Sequence, residues 1–404
     1  MKPLAMKPLD GLRVIDCSTV IAGPRIAAYL GDFGADVIKV EHPVHGDDTR
    51  RFGAQRDGTS MYWKLVSRNK RCITLDLSDP EGQDIARKLF ATSDVVIENF
   101  RPGTLERWNL APDALRAANP KLVVVRVTGF GQDGPYAQRP GFATLAEAMS
   151  GLASITGEPD GPPLLPPIAL ADEVTGLVGT WATLAALYHR DAGRDARGGT
   201  GQVIDLSLYE SLMQLLGPLP LAWDQLGYLQ PRMGSRLPYS APRNAYRCAD
   251  GKWVGLSATA QRVAMRLFDA IDRPELKDDP RFATNRDRLE HADELDAIIA
   301  DWMSAHPRDE AIDIFERHDA ALAPIYDVSE FMDDPHVRER GSIETVADPD
   351  WGPIRMQGIH PRMSETPGEI TSTGPSEMGS HNHEVYTELG LGERLDDLRR
   401  RGVI

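Results

Sequence analysis

One carboxylate stands out for chemistry in this 404-residue chain, the Asp172 side chain at the mouth of a long periodic segment. Apolar residues recur at helical spacing after Thr175, which predicts a helix with Asp172 close to its N-terminus. No Lys, Arg or His adjoins Asp172 in the sequence. Two interpretations stay open: Asp172 is an N-cap that satisfies free backbone N–H groups, or it is a nucleophile at the positive end of a helix.

The segments that must position Asp172 alternate between strands and helices. Helices are predicted from Ala22 and over Pro80–Ala91, where Asp79-Pro80-Glu81 has the order of a helix start. Strands are predicted at Leu12–Cys17, Asp36–Glu41, Cys72–Leu77, Asp94–Glu98, Leu122–Val127 and Gln202–Ser207. This alternation indicates an α/β fold with a parallel, Rossmann-like sheet.

Loops at the ends of these strands are candidate ligand contacts, because open α/β sheets bind ligands at the carboxyl ends of their strands. The loops Asn99–Gly103 and Thr128–Gly131 are of this kind. The helix that begins at Ala22-Gly23-Pro24 lacks the G-x-G-x-x-G pattern that holds a dinucleotide pyrophosphate. A nicotinamide cofactor is therefore not expected.

A second, smaller α/β domain is predicted after a Pro- and Gly-rich stretch. We place a large Rossmann-like domain at 1–215, a linker or loop at 216–243, the small domain at 244–335, and a return segment that completes the large domain at 336–404. The turn Ala249-Asp250-Gly251 between the segments Asn244–Arg247 and Trp253–Ser257 indicates a hairpin in the small domain.

Composition restricts the partners of the chain. A net charge of −15 argues against a nucleic-acid or anionic-membrane binder. Residues 1–126 nevertheless carry 19 Lys and Arg against 16 Asp and Glu, so a polyanionic ligand is expected there. Three widely spaced cysteines and the absence of an apolar signal segment in residues 1–9 favour a cytoplasmic protein. His381 and His383 without a third donor do not predict a metal site.

Several spaced motifs in one order resemble the family III (CaiB/BaiF-type) CoA-transferases. Around Asp172 these are Ala171-Asp172, Gly176, Arg190, Gly201-Gln202 and Ile204-Asp205. Earlier motifs are Ala22-Gly23-Pro24, Gly34–Glu41, Gly46-Asp47, Asn69-Lys70-Arg71, Glu98-Asn99-Phe100 and Arg101-Pro102-Gly103. The resemblance covers essentially the whole chain.

The resemblance implies an enzyme that moves CoA from an acyl-CoA thioester to a free carboxylic acid through a mixed anhydride and a CoA thioester on Asp172. An Asp with an ordinary pKa of about 3.9 is ionised at neutral pH and needs no general base. It also implies an interlocked homodimer and no tightly bound cofactor, with CoA entering as substrate. The implied CoA contacts are Ala22, His42, Leu75, Asn99, Phe100, Arg107 and Phe142.

Some positions depart from this family pattern or leave alternatives open. A formyl-CoA-transferring relative has Arg where His42 stands and Gln where Ile21 stands, which argues against formyl-CoA and oxalate as substrates. Basic residues that either contact CoA phosphates or form solvated surface are Arg50, Arg51, Lys70 and Arg71.

Two other functions compete with CoA transfer. α-Methylacyl-CoA racemases share the fold, but they need a Gly-His-Asp base where this chain has Gly141-Phe142-Ala143. The other alternative is a protein that binds CoA but has no catalytic activity.

Overall fold

The computed structural model describes residues 6–193 and 199–404, so most of the segment 1–9, in which no signal segment is predicted, lies outside the described residues. The strands are β1 (Arg13–Asp16), β2 (Asp36–Glu41), β3 (Gln55–Arg56), β4 (Thr59–Ser60), β5 (Lys70–Thr74), β6 (Val95–Glu98), β7 (Val123–Thr128), β8 (Val203–Ser207), β9 (Arg243–Arg247), β10 (Trp253–Ser257), β11 (Leu322–Pro324), β12 (Ile343–Asp348) and β13 (Gly352–Gln357).

The helices alternate with the strands in the first half of the chain and cluster in the second. They are α1 (Ala22–Asp32), α2 (Met61–Val66), α3 (Pro80–Ala91), α4 (Thr104–Arg107), α5 (Pro112–Ala118), α6 (Ala143–Met149), α7 (Leu152–Ile155), α8 (Leu170–Asp191), α9 (Leu208–Met213), α10 (Leu219–Leu226), α11 (Gln261–Ala270), α12 (Asn285–Glu290), α13 (Ala292–Ser304), α14 (Arg308–Arg317), α15 (Val328–Asp333), α16 (Pro335–Glu339), α17 (Asn382–Glu388) and α18 (Leu395–Arg400).

By its internal contacts the chain divides into two units. The first comprises residues 1–152, 165–217 and 340–404, and the second comprises 153–164 and 218–339. The domain limits given above from the sequence stay a prediction.

A six-stranded parallel sheet with the order β5-β2-β1-β6-β7-β8 forms the centre of the first unit. The strand order reverses between β1 and β6. The chain first adds β2 and β5 on one side of β1, and then adds β6, β7 and β8 on the other side. The register pairs Val14 with Val37 on one side of β1 and with Val95 on the other. The α/β class and the parallel sheet predicted from the sequence are confirmed.

Alternation along the strands places apolar side chains on both faces of this sheet. Val14 packs with α1 and α8 in one core cluster, whereas its neighbour Ile15 packs with α3 in the other. The second cluster also contains the C-terminal residues Val385, Leu398 and Val403. Residues of the chain's end therefore cover one face of the sheet formed by its beginning.

One strand prediction in the first unit needs correction. The strand predicted at Cys72–Leu77 instead runs over Lys70–Thr74. Lys70 and Arg71 hid its start because charged residues are rarely buried, yet Lys70 is 2 % exposed and bonds to Asp16.

The second unit contains an antiparallel sheet of the order β11-β10-β9, packed against α11, α13 and α14 through one apolar core. The sequence missed α10, at Leu219–Leu226, because Pro218 and Pro220 suggested a loop. Proline is tolerated at a helix start, and here Pro218 is the N-cap while Gly227 ends the helix in the left-handed conformation. No helix among the described residues is long and apolar enough to cross a membrane.

Candidate active site

Asp172 lies in the first turn of α8, and this helix determines how its carboxylate is presented. The helix begins at Leu170, its N-cap is Ala169, and the cap residue makes no side-chain hydrogen bond to the helix. Asp172 is thus the third residue of the helix, and the N-cap interpretation is wrong. Free amides at the start of this 22-residue helix carry partial positive charge, which favours a carboxylate there.

A pocket of about 170 Å³ contains Asp172 in its lining. Its walls come from the loops after β1, β6 and β7 and from the first residues of α1 and α6. These loops follow the carboxyl ends of neighbouring parallel strands and flank the point where the strand order reverses. Open α/β sheets bind their ligands at this position.

The pKa of Asp172 is raised from its ordinary value of 3.8 to about 7. Burial of the carboxyl group is the main cause, and the nearby carboxylates of Glu173 and Glu147 act in the same direction. The backbone amide of Ala22, at the start of α1, donates a hydrogen bond that opposes the shift. The expectation of an ordinary pKa is therefore wrong, because the pKa of Asp172 lies well above that of a free aspartate.

The two neighbouring carboxylates are themselves held in place. Glu173 accepts from Arg25 Nε at 2.8 Å, and the Arg25 guanidinium also donates to the Tyr29 hydroxyl at 2.6 Å. Glu147 is buried and its Oε1 accepts the Ala171 amide at 3.2 Å. The negative charges beside Asp172 are therefore fixed parts of the site.

Four of the seven predicted CoA contacts line the pocket together with Asp172: Ala22, Asn99, Phe100 and Phe142. The Asn99 amide is fixed by the β1 loop, since it accepts the Thr19 amide at 2.8 Å and donates to the Thr19 carbonyl at 2.7 Å. Phe142 is 66 % exposed, so its ring is open to a ligand.

The other three predicted contacts, His42, Leu75 and Arg107, do not line this pocket. The His42 ring is exposed and stacks on His45 with 4.7 Å between ring centroids. The Leu75 side chain is 2 % exposed and belongs to the core, so only its backbone is available to a ligand. Arg107 is exposed and donates to the Thr104 hydroxyl at 2.8 Å.

Three of the four candidate phosphate contacts, Arg50, Lys70 and Arg71, form ion pairs with carboxylates of the chain. Arg50 forms a two-pronged ion pair with Glu41 at 2.7 and 2.8 Å, and the Lys70 ammonium lies 2.8 Å from Asp16. Arg71 bonds to the carboxylates of Asp36 and Glu388. Arg51 is exposed and pairs with Asp48.

Two cations of the pocket lining were missed as ligand contacts by the sequence analysis. Arg101 directly follows Phe100, and its place in the Arg101-Pro102-Gly103 motif was the available signal. Arg139 stacks over the Tyr136 ring, with its guanidinium carbon 3.6 Å from the ring centroid. Both side chains are exposed and contribute positive charge to the wall of the pocket that Asp172 also lines.

The profile of CoA-transferase family III matches residues 9–382, which is most of the chain. The chain belongs to CoA-transferase family III. The resemblance drawn from its motifs is therefore confirmed.

Named relatives cover nearly the whole transferase. It is 42 % identical to the succinyl-CoA–D-citramalate CoA-transferase of Chloroflexus aurantiacus, over 97 % of this chain and 96 % of the relative. It is 43 % identical to the beta subunit of the succinyl-CoA–L-malate CoA-transferase of the same organism, over 98 % of both chains. A CaiB/BaiF family protein from Brucella suis has a similar structure, with a TM-score of 0.83, 33 % identity and coverage of 95 % and 99 %.

The lining of the transferase pocket is poor in groups that exchange protons. Phe142 and Ala143 stand at the two positions where a racemase needs its base, and both line the pocket with Asp172. Neither side chain can carry a proton, so the two-base chemistry of racemisation lacks one partner. Among the described residues, no group of three or more His, Cys, Asp or Glu side chains could hold a metal ion.

Proposed function

We propose that this transferase moves CoA from an acyl-CoA to a free carboxylic acid through covalent intermediates on Asp172. The observation that carries the proposal is the position of this carboxylate, on the first turn of a long helix inside a pocket at the carboxyl end of the sheet. Covalent catalysis divides one difficult transfer into easier steps.

The first half of the cycle transfers the CoA group to the enzyme. The Asp172 carboxylate attacks the thioester carbonyl of the donor, and CoA leaves as its thiolate to give a mixed anhydride. The thiolate then attacks the aspartyl carbonyl carbon and expels the donor carboxylate. The product is a CoA thioester of Asp172, and no net proton is taken up or released.

The second half of the cycle reverses these steps with the acceptor. The acceptor carboxylate attacks the aspartyl thioester, CoA thiolate leaves, and a second anhydride forms. The thiolate attacks the acceptor carbonyl carbon, which yields the new acyl-CoA and restores the Asp172 carboxylate. One oxygen atom of the acceptor stays on Asp172 at this point.

The Ala22 amide has a role in each step that makes the aspartyl carbon tetrahedral. Negative charge then develops on the aspartyl oxygen, and a fixed backbone N–H stabilises such an oxyanion. This donor already bonds to the Asp172 carboxylate. The stabilising group is therefore in place before the reaction begins.

For the substrates we propose succinyl-CoA as donor and a hydroxylated dicarboxylic acid as acceptor. The support is the names of the two Chloroflexus relatives, which are succinyl-CoA-dependent transferases acting on D-citramalate and L-malate. The exposed guanidinium groups of Arg101 and Arg139 suit ligands that carry several negative charges. The apolar Ile21 replaces the Gln of the formyl-CoA-transferring relative and agrees with this choice.

The proposed residues for CoA itself are Ala22, Asn99, Phe100 and Phe142 in the pocket, with His42, Arg107 and the backbone of Leu75 outside it. The strand order corresponds to 3-2-1-4-5-6 when the six strands are numbered along the chain, which supports a Rossmann-like large domain.

We also propose a homodimer, because Leu177, Trp181 and Leu184 of α8 are exposed at helical spacing, Trp181 to 62 %. Sedimentation of native protein and of Trp181→Arg tests the dimer. A native monomer would contradict it.

The function is tested by intact-protein mass after incubation with succinyl-CoA. Native protein and Glu173→Gln, which alters the adjacent carboxylate on the same helix, should gain a hydroxylamine-sensitive adduct of acyl or CoA mass. Asp172→Asn should gain none, and peptide mapping should place the adduct on Asp172. An adduct of equal yield in Asp172→Asn would overturn the proposed mechanism.

A further inference from the structure

The loop that brings the Ala22 amide to Asp172 contains a residue in an unfavourable backbone conformation. Val20 has a φ of +70°, in the left-handed region. A β-branched residue adopts this conformation only when its surroundings enforce it. Val20 lies between β1 and α1 and lines the same pocket as Asp172.

Three side chains, Asp47, Asn99 and Lys39, form hydrogen bonds to the backbone of this loop. The Val20 amide donates to Asp47 Oδ1 at 3.2 Å, and Thr19 is bound on both sides by Asn99. The Lys39 ammonium donates to the Ser18 carbonyl. Asp47 is therefore the side chain that bonds directly to the strained residue.

Asp47 is itself rigidly held. Its Oδ1 accepts the Thr49 amide at 2.9 Å and the Thr49 hydroxyl at 2.7 Å, and its Oδ2 lies 2.8 Å from the Lys39 ammonium. The Asp47 side chain is 1 % exposed and the Lys39 side chain is fully buried. A carboxylate fixed in this way can impose a conformation on the backbone that it binds.

Lys39 and Asp47 belong to a buried ion cluster, which we define as Asp16, Lys39, Asp47 and Lys70. Lys70 pairs with Asp16 at 2.8 Å and also donates to the Pro24 carbonyl of α1 at 2.7 Å. The cluster thus holds the chain on both sides of Ala22. Buried ion pairs add little stability compared with apolar residues of similar size, so this cluster calls for a role beyond stability.

We propose that Asp47 is a positioning residue of the transfer reaction, which holds Val20 in its left-handed conformation and so aims the Ala22 amide at the Asp172 carboxylate. The inference rests on the proposed function of Asp172. Close packing supports it, because a Cβ on Gly23 would lie 2.3 Å from the Ser18 hydroxyl oxygen. The loop that contains Ser18 and the start of α1 are therefore in close contact and cannot move closer to each other.

The direction in which the pKa of Asp172 changes when Asp47 is replaced distinguishes a positioning role of Asp47 from a purely electrostatic effect of its charge. The charged groups around Asp172 are Glu173 on α8, Glu147 on α6, Arg25 of α1 through Glu173, and the pocket cations Arg101 and Arg139. Removing the Asp47 charge by itself would favour ionisation of Asp172 and lower its pKa. Displacing the Ala22 amide would do the opposite, because that hydrogen bond stabilises the carboxylate.

The test is the rate of adduct formation by succinyl-CoA in rapid-quench experiments on the full-length protein, as a function of pH. For Asp47→Ala we expect the rate at saturating succinyl-CoA to fall about 10²-fold, with little change in half-saturation. The pH midpoint of the reaction should rise by about half a unit or more. In Asp47→Ala combined with Val20→Gly the rate should return to within about tenfold of native, because glycine adopts a positive φ without strain.

The matched control is Asp32→Asn, at the opposite end of α1. It removes another buried carboxylate, which pairs with Arg68 at 2.6 and 2.9 Å, and leaves the Val20 loop unaltered. Its rate and pH midpoint should stay native even where its stability falls. If Asp47→Ala does not fold, Asp47→Leu takes its place, since leucine fills the space better and still has no oxygen to accept the Val20 amide, and the midpoint should again rise.

The outcomes separate the inference from the function. If native protein forms no adduct, the proposed function fails and the inference fails with it. If native protein reacts but the Asp47 variants keep a native rate, or show an unchanged or lower pH midpoint, Asp47 does not position the site and the function of Asp172 stands.

Discussion

Two aspartates near the carboxyl edge of the same sheet, one buried and one partly buried, have opposite surroundings. Asp16 ends β1 and faces the ammonium groups of Lys39 and Lys70, which outweigh its burial and leave its pKa lowered. Asp172 is only partly buried, but its charged neighbours are the carboxylates Glu173 and Glu147, and its pKa rises to about 7. The same residue type thus has a lowered pKa in one place and a raised pKa in the other.

The comparison teaches that partners, rather than burial alone, decide what a buried carboxylate does. Asp16 is satisfied by two cations and by the Ser18 hydroxyl, so it fixes the fold. Asp172 has one backbone amide and no cation among the causes of its shift, so it is poorly stabilised as an anion and available to react. A carboxylate whose pKa is raised in this way is typical of functional sites.

The largest expected effect follows from removing the reactive member of the pair. Asp172→Asn should lower the rate of CoA transfer by about 10⁴-fold or more, because the amide cannot form the covalent intermediates. Steady-state transfer from succinyl-CoA to L-malate measures this, with Glu147→Gln as a control that should retain transfer. A loss of transfer rate below about tenfold would show that Asp172 is no more important for catalysis than a structural residue such as Asp16. That result would contradict the difference drawn between the two aspartates.

The structural member of the pair should act on stability. Asp16→Asn should reduce the free energy of unfolding by about 3–5 kcal/mol, because Lys39 and Lys70 would keep buried charges without their shared partner. Urea denaturation followed by circular dichroism measures the change. Stability equal to native would show that the cluster relaxes without Asp16.

Sequence reasoning reached the elements whose signals are local. The helix α3, with Asp79 as cap and Pro80 at its first position, was predicted with its observed bounds, as was β2. It failed where distant partners decide. The start of β5 was hidden because Lys70 is neutralised by Asp16, 54 positions earlier in the chain.

The site shows the same division. Asp172 was singled out by its place before a periodic segment, but its catalytic role came from the family resemblance. The CoA contacts Ala22, Asn99, Phe100 and Phe142 came from that resemblance as well. The raised pKa of Asp172 could not be found, because its main cause is burial by the folded chain and because Glu147 comes from another helix. The positive φ of Val20 has no sequence signal either, since valine rarely adopts it.

A smaller effect concerns stability and pH. Folding raises the pKa of Asp172 to about 7, so the stability that its protonated form gives is complete below about pH 4 and is lost as pH rises through 7. Asp172→Asn does not ionise, so relative to native it should gain up to about 4 kcal/mol of stability between pH 4 and pH 8.5, at about 1.4 kcal/mol per pKa unit. Thermal denaturation at both pH values measures the gain, and an equal difference at both would contradict the raised pKa.

The smallest expected effect is a change in the pKa of Asp172. Glu147→Gln keeps an oxygen that accepts the Ala171 amide but removes one negative charge beside Asp172. The pH midpoint of adduct formation should therefore fall by about half a unit. Rapid-quench rates between pH 5 and pH 9 measure it, and a midpoint that rises would mean that Glu147 does not act through its charge.

The most direct test of the central claim follows oxygen atoms from the acceptor to Asp172. With succinyl-CoA and a dicarboxylic acceptor labelled with ¹⁸O in its carboxylates, the mechanism leaves one acceptor oxygen on the Asp172 side chain. Mass spectrometry of the peptide that contains Asp172 should show ¹⁸O after turnover, and Glu173, on the same peptide, should stay unlabelled. Product formation with an unlabelled Asp172 would mean that CoA passes between the acids without bonding to this residue, and would contradict the account.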